Sequence, residues 1–126
     1  MLRIRYGAVE LLLTGDIGSD SEAHLPLPQP DALIRVLKVA HHGSRTSTSP
    51  TFVNAYAPDL ALVSAGRGNL FGHPSADVLA RLTSAGARVF RTDEDGTISL
   101  ETDGEVVFVQ TRTGRRWQLR ATRVQP

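Results

Sequence analysis

The sequence predicts an α/β layered fold. Three observations carry that prediction. Apolar runs of strand length recur along the first two thirds of the chain, as in "ELLLT", "LIRVLKV" and "LALVS". The segments between them carry helix caps and a helical apolar stripe. After residue 86 the pattern turns to strands separated by turn residues, which suits an antiparallel edge.

The elements follow in order. "LRIRY" (2–6) alternates apolar and polar residues, as a half-buried strand does. "VELLLTGD" continues after a turn at Gly7 and Ala8, and Leu11 to Leu13 is apolar on both faces, which suits a strand near a sheet centre. "IGSDSEAHLPLPQPD" is rich in turn formers; Ser19 or Asp20 is placed to cap a short helix that the prolines then stop. "ALIRVLKVA" is the next core strand, ending at His41. In "SPTFVNAYAP" Ser49 is the candidate cap, Pro50 takes the first helical position and Pro58 stops the helix; Phe52, Val53 and Tyr56 share its inner face. "DLALVSAG" is a strand and "NLFGHP" a loop. "PSADVLARLTSAG" reads as a helix from Pro74, with Val78, Leu79, Leu82 and Ala85 in one stripe and Gly86 at its C-terminal end. "ARVFRT" and "TISLET" are strands joined by a hairpin signal at "DEDG". "DGEVVFVQT" and "RRWQLRATRV" add two more. No internal repeat or linker divides residues 1–126, so they read as one domain.

Composition narrows the function. Apolar residues make up 40% and charged residues 21%, the balance of an ordinary globular protein. No apolar run approaches the ~20 residues of a membrane span, and "MLRIRYGAVE" has no apolar stretch of the signal-peptide kind. There is no cysteine, which excludes disulfides and thiolate metal sites. The net charge of +1 does not mark the whole chain as a polyanion binder. Arginines 112, 115, 116, 120 and 123 nevertheless cluster around Trp117 without an acid among them. Such a pattern can hold nucleic acid, or it can be a solvated strand face.

Three polar signals lie just beyond apolar strands or in the loop that follows. Asp16 follows "LLLTG", His41 and His42 follow "LIRVLKVA", and His73 lies in the loop after "LALVSAG". Ligands of open α/β sheets gather beyond the carboxyl ends of the strands. An aspartate with two or three histidines there suits a metal such as zinc or manganese. Taken singly, Asp16 could cap the short helix, "HHGS" could be an ordinary turn, and His73 could start a helix. Their joint placement, each beside a glycine (Gly15, Gly43, Gly72), favours a site. No nucleophile elbow, Walker loop or dinucleotide fingerprint is present.

"LLLTGD", "LKVAHHGSRTSTSPTF" and "NLFGHPSADVLARLTSAGARVFRTDEDGTISLETDG" resemble, in this order and spacing, the metallo-β-lactamase-type domain at the C-terminus of the ComEC family of competence DNA-uptake proteins. The likeness runs from about Leu11 to Gly104. It implies an αββα sandwich with two divalent metal ions, Zn²⁺ or Mn²⁺, in a cleft. Asp16 matches the aspartate that bridges the metals, and His41 or His42 the later histidine ligand. His41, first past the apolar run, is the preferred ligand. His42 would then face the substrate phosphate or support the ligands, and His73 would move a proton on the substrate side. Gly43, Ser44, Arg45 and Asn69 would orient phosphate.

The family's first metal motif, of the H-x-H-x-D-H type, is absent: the histidines are His24, His41, His42 and His73, and none has that spacing. The resemblance therefore implies the C-terminal half of a metallo-β-lactamase-like sandwich, a mixed sheet with two main helices and terminal antiparallel strands. Partial or no metal binding is expected of this chain alone, since a zinc site takes about three to four protein ligands. An apolar sheet face left uncovered by the missing half, and self-association through it, are also expected. The implied reaction is metal-assisted hydrolysis of DNA during uptake, in a membrane-associated parent protein with a channel domain. The alternatives are a non-catalytic module that binds DNA or packs on the channel, and a hydrolase of small phosphodiesters or esters.

Overall fold

The computed structural model describes residues 1–122. Strands β1 (Leu2–Tyr6), β2 (Val9–Leu13), β3 (Ile34–Lys38), β4 (Leu60–Val63) and β5 (Arg88–Arg91) form a five-stranded sheet in sequential order. β1 pairs antiparallel with β2; β2 to β5 are parallel. The crossovers carry α1 (Ser19–Glu22) between β2 and β3, α2 (Pro50–Tyr56) between β3 and β4, and α3 (Ala76–Ser84) between β4 and β5. A short helical turn, α4 (Thr92–Asp95), leads to β6 (Ile98–Thr102), β7 (Val106–Thr111) and β8 (Arg116–Arg120), a separate antiparallel sheet.

The alternation of side chains along the parallel strands builds two cores. On one face Leu12, Leu37, Ala61 and Val63 meet Phe52, Val53 and Tyr56 of α2 and Val78 and Leu82 of α3. On the other, Val9, Ile34, Val36, Leu60 and Phe90 meet Val107 and Val109 of β7, with Ile98, Leu100, Trp117 and Leu119 packed alongside. The layers are thus helices, five-stranded sheet, three-stranded sheet. The expected helix faces are the buried ones. Ser49 caps α2 by accepting from the Phe52 N–H at 3.2 Å, and Ser75 caps α3 by accepting from Val78 at 3.2 Å. α3 begins at Ala76 rather than Pro74 because Ser75 takes the cap.

Three expectations are corrected. "DEDG" is not a hairpin: β5 and β6 lie in different sheets, and residues 92–95 form α4. The cause is Asp95, whose buried carboxylate accepts from the Arg91 N–H at 2.8 Å and pairs with Arg115 at 2.7 Å, while the Thr92 hydroxyl donates to the Ala65 carbonyl at 2.9 Å. α1 is preceded by Gly18, with neither Ser19 nor Asp20 as its side-chain cap. The uncovered apolar surface of the five-stranded sheet is also narrower than a whole face. It is the strip of Leu2, Ile4 and Tyr6 on edge strand β1, opposite Leu13, Leu11 and Val9 and beyond the reach of the second sheet. The outer face of the three-stranded sheet is mostly polar, with Ser99, Glu101, Gln110, Arg116 and Gln118 around an exposed Phe108. The last expected strand reaches only Arg120; its remainder from residue 123, Arg123 included, lies outside the described residues.

Candidate active site

The parallel strands deliver three loops to one end of the sheet. The loop after β2 carries Asp16, the tight turn Ala40–Gly43 after β3 carries His41 and His42, and the loop after β4 leads to His73. Backbone bonds tie the first two together: His41 N–H donates to the Gly15 carbonyl at 2.9 Å, and Ser19 N–H to the Thr46 carbonyl at 3.0 Å. Gly43 joins the third. Its oxygen accepts from Ser75 N–H at 2.9 Å, and a Cβ at Gly43 would come within 2.5 Å of the Pro74 side chain. Glycine is required there by contact as well as by its φ of +83°.

Both histidines hold a left-handed backbone, His41 at φ 49° and His42 at φ 56°. Non-glycine residues avoid that region, and such strain concentrates at functional sites. The two rings diverge. His42 Nδ1 lies 2.8 Å from the Ser64 carbonyl oxygen. A carbonyl only accepts, so Nδ1 carries the proton and Nε2 is the free nitrogen. That Nε2 is 3.8 Å from Asp16 Oδ1, and both side chains are open to solvent. The two groups thus lie close enough to share a proton or a cation. His41 faces His73 instead, edge to face with centroids 6.0 Å apart, and Phe71 stacks on His73 at 5.8 Å and 21°.

The structure therefore groups the four expected residues as two pairs, Asp16 with His42 and His41 with His73. Among the described residues no group of three or more histidine, aspartate or glutamate side chains converges to hold a metal ion. The expected phosphate-orienting residues divide. Arg45 is exposed and lines a depression with Ser44, Phe71 and His73. Ser44 is buried, its hydroxyl engaged with Thr46 Oγ1 at 2.9 Å. Asn69 holds the third loop together: its Nδ2 donates to the His73 carbonyl at 2.6 Å, and its Oδ1 accepts from His73 N–H at 3.0 Å.

Two contributors escaped sequence reasoning. Lys38, at the end of β3, is half-buried; burial pushes its ammonium below the usual lysine range, against the opposing charge of Asp16. The signal was the chain's single lysine, three residues before the histidine pair. Phe71, in the loop before His73, is 81% exposed beside Leu70, which is fully exposed. The sequence around it, "NLFGHP", has only the marks of a loop.

No family model and no solved structure matches the chain. Curated relatives do. The chain is 39% identical over 98 residues to ComE operon protein 3 of Bacillus subtilis, and 37% identical over 99 residues to Competence protein ComA of Neisseria gonorrhoeae. It is 36% identical over 92 residues to Recombination protein 2 of Haemophilus influenzae. One of these relatives is by name a competence protein. The matches cover 78%, 78% and 73% of this chain but only 13%, 14% and 11% of the relatives. The similarity thus concerns one segment of much longer chains. Among the described residues no helix is long and apolar enough to cross a membrane.

Proposed function

We propose that this chain is the C-terminal half of a metallo-β-lactamase-like, metal-dependent hydrolase domain that cleaves phosphodiester bonds of DNA in a competence DNA-uptake protein. One observation carries the reading: Asp16 Oδ1 and the free Nε2 of His42 converge to 3.8 Å at the carboxyl end of a parallel sheet. The strained histidine turn supports it, as does the competence relative from Neisseria gonorrhoeae. The layered arrangement of two sheets with helices on one side is compatible with the αββα sandwich that the motifs imply.

The residues of this chain do not by themselves fit a metal ion. Asp16 and His42 are two donors, whereas a zinc site takes about three to four. Further ligands would come from a preceding segment bearing the first histidine motif. Within this chain, the Ser64 carbonyl fixes the tautomer of His42, and Asn69 holds the loop that presents His73. His73 is the group placed to exchange a proton with a leaving oxygen.

The test measures metal content and DNA cleavage together, with Mn²⁺ and Zn²⁺, on this chain and on a version extended upstream through that motif. The expected result is cleavage and metal retention by the extended protein only, both lost on Asp16→Ala. An extended protein that retains no metal and cuts nothing overturns the hydrolase reading and leaves a non-catalytic binding module.

A further inference from the structure

We propose that Phe71 is a positioning residue that stacks on an unpaired base of a DNA strand and so selects single-stranded substrate. The inference rests on the DNA reading above for the identity of the polymer, and on the loop itself for the contact. Phe71 is 81% exposed, at the tip of the loop whose base is held by Asn69. An exposed aromatic ring at such a tip costs solubility and adds nothing to the core. Its ring stacks near-parallel with His73, at 5.8 Å and 21°, and His73 in turn meets His41 at 6.0 Å. Most of the ring is still open to solvent, and every base offers a π-face of matching size.

The surroundings favour a nucleotide over a purely apolar ligand. Arg45 is exposed on the same depression and pairs with no carboxylate among the described residues. A base on Phe71 therefore has a cation for its phosphate within the same depression, and a histidine behind the ring. Asp77 also lines the depression and disfavours a phosphate beside it, so Arg45 is the group left there to meet one. A duplex keeps its bases stacked on one another, so it cannot satisfy Phe71 without unstacking.

The experiment measures binding of a fluorescent oligodeoxythymidine of about 15 nucleotides to the 126-residue chain in EDTA, against the matching duplex and oligouridine. Binding of the single strand over the duplex is expected. Phe71→Ala should weaken it about tenfold and Phe71→Trp should preserve it. Arg45→Gln should lower the slope of log affinity against log salt by about 0.7. Both positions are exposed, so thermal melting should be unchanged and a folding defect would be visible as such. In a cleaving extended protein, Phe71→Ala should raise KM about tenfold and leave kcat within about threefold. Binding unchanged in Phe71→Ala, equal binding of duplex, or a loss that follows Phe108→Ala on the outer sheet face overturns the proposal. So does burial of Phe71 by the upstream segment, read as protection of Phe71→Trp fluorescence from quenching in the extended protein. A preference for oligouridine would assign the stack to RNA and overturn the DNA commitment. Because EDTA removes metal chemistry, failure of the hydrolase reading alone leaves the binding result standing.

Discussion

The free ring nitrogen of His42 lies 3.8 Å from a carboxylate oxygen of Asp16, across a gap between two loops that follow neighbouring parallel strands. Both side chains are largely exposed, so Asp16→Ala is expected to leave the thermal midpoint within experimental error, and His42→Ala to cost only its bond to the Ser64 carbonyl, about 1 kcal/mol. In the upstream-extended protein each should lower cleavage about 100-fold or more. Parallel melting and cleavage assays separate the two effects; a large drop in melting temperature with cleavage intact would reassign the pair to stability.

The backbone at His41 and His42 makes the opposite prediction for glycine. Both residues occupy the left-handed region, which costs a non-glycine residue about 1 kcal/mol or more. His42→Gly should be at least as stable as the natural chain and more stable than His42→Ala, by about 1 kcal/mol in urea denaturation. A glycine variant less stable than the alanine variant would mean that the turn is not strained.

A buried carboxylate organises the loop beyond the histidines. Glu22 accepts from the N–H groups of Thr48 and Ser49, so the proline-rich crossover is clamped to the start of α2. Glu22→Ala strands two N–H donors. It should cost about 2–4 kcal/mol, with Glu22→Gln recovering part of it. Chemical denaturation reads the difference.

Two adjacent arginines should behave differently. Arg115 pairs with buried Asp95 at 2.7 Å and lies over the Phe90 ring at 4.3 Å; Arg116 points outward. Arg115→Ala leaves Asp95 buried without its cation and should cost about 2 kcal/mol, less than a fully enclosed pair because Arg115 is partly exposed. Arg116→Ala should change stability by no more than about 0.5 kcal/mol. Equal effects would show that the pair is only a surface contact.

Acid should weaken the fold through named groups. The Arg91 guanidinium holds the Asp93 carboxyl below its ordinary value, and the backbone N–H groups of Glu105 and Val106 do the same for Asp103. Folded values that are lowered give stability that is complete above the ordinary carboxylate range near 4 and is lost as pH falls through the folded values. Unfolding midpoints should therefore be flat through neutral pH and decline below about pH 4. Asp93→Asn should make that decline shallower.

Much of this architecture was legible because local signals and burial agree. The stripe of Val78 and Leu82, the Ser49 cap and the apolar strands all do in the structure what their spacing implies. The failures come from contacts between distant residues. "DEDG" has the residues of a hairpin, yet Asp95 is claimed by Arg115 twenty positions later. Trp117 stood out among arginines as a possible stacking surface, but the parity of β8 turns it into the core and leaves Arg116 and Gln118 outside. His41, the preferred ligand as the first residue past the apolar run, faces His73, while His42 lies 3.8 Å from Asp16. The Asn69 amide, a candidate to orient phosphate, bonds both backbone groups of His73.

Edge strand β1 has a consequence for assembly. Among the described residues no strand pairs with its other side, which carries the apolar strip of Leu2, Ile4 and Tyr6, the usual template for growth by like strands. Antiparallel pairing of two β1 strands keeps the strip on one side only in registers that match odd with odd positions. Each such register with real overlap sets an arginine, Arg3 or Arg5, directly against an arginine of the other copy. The intervening registers put arginine against the apolar strip. Arg3 already meets Glu10 at 3.7 Å and Arg5 meets Asp31 at 2.9 Å, so stacking of like strands would crowd these ion pairs against one another.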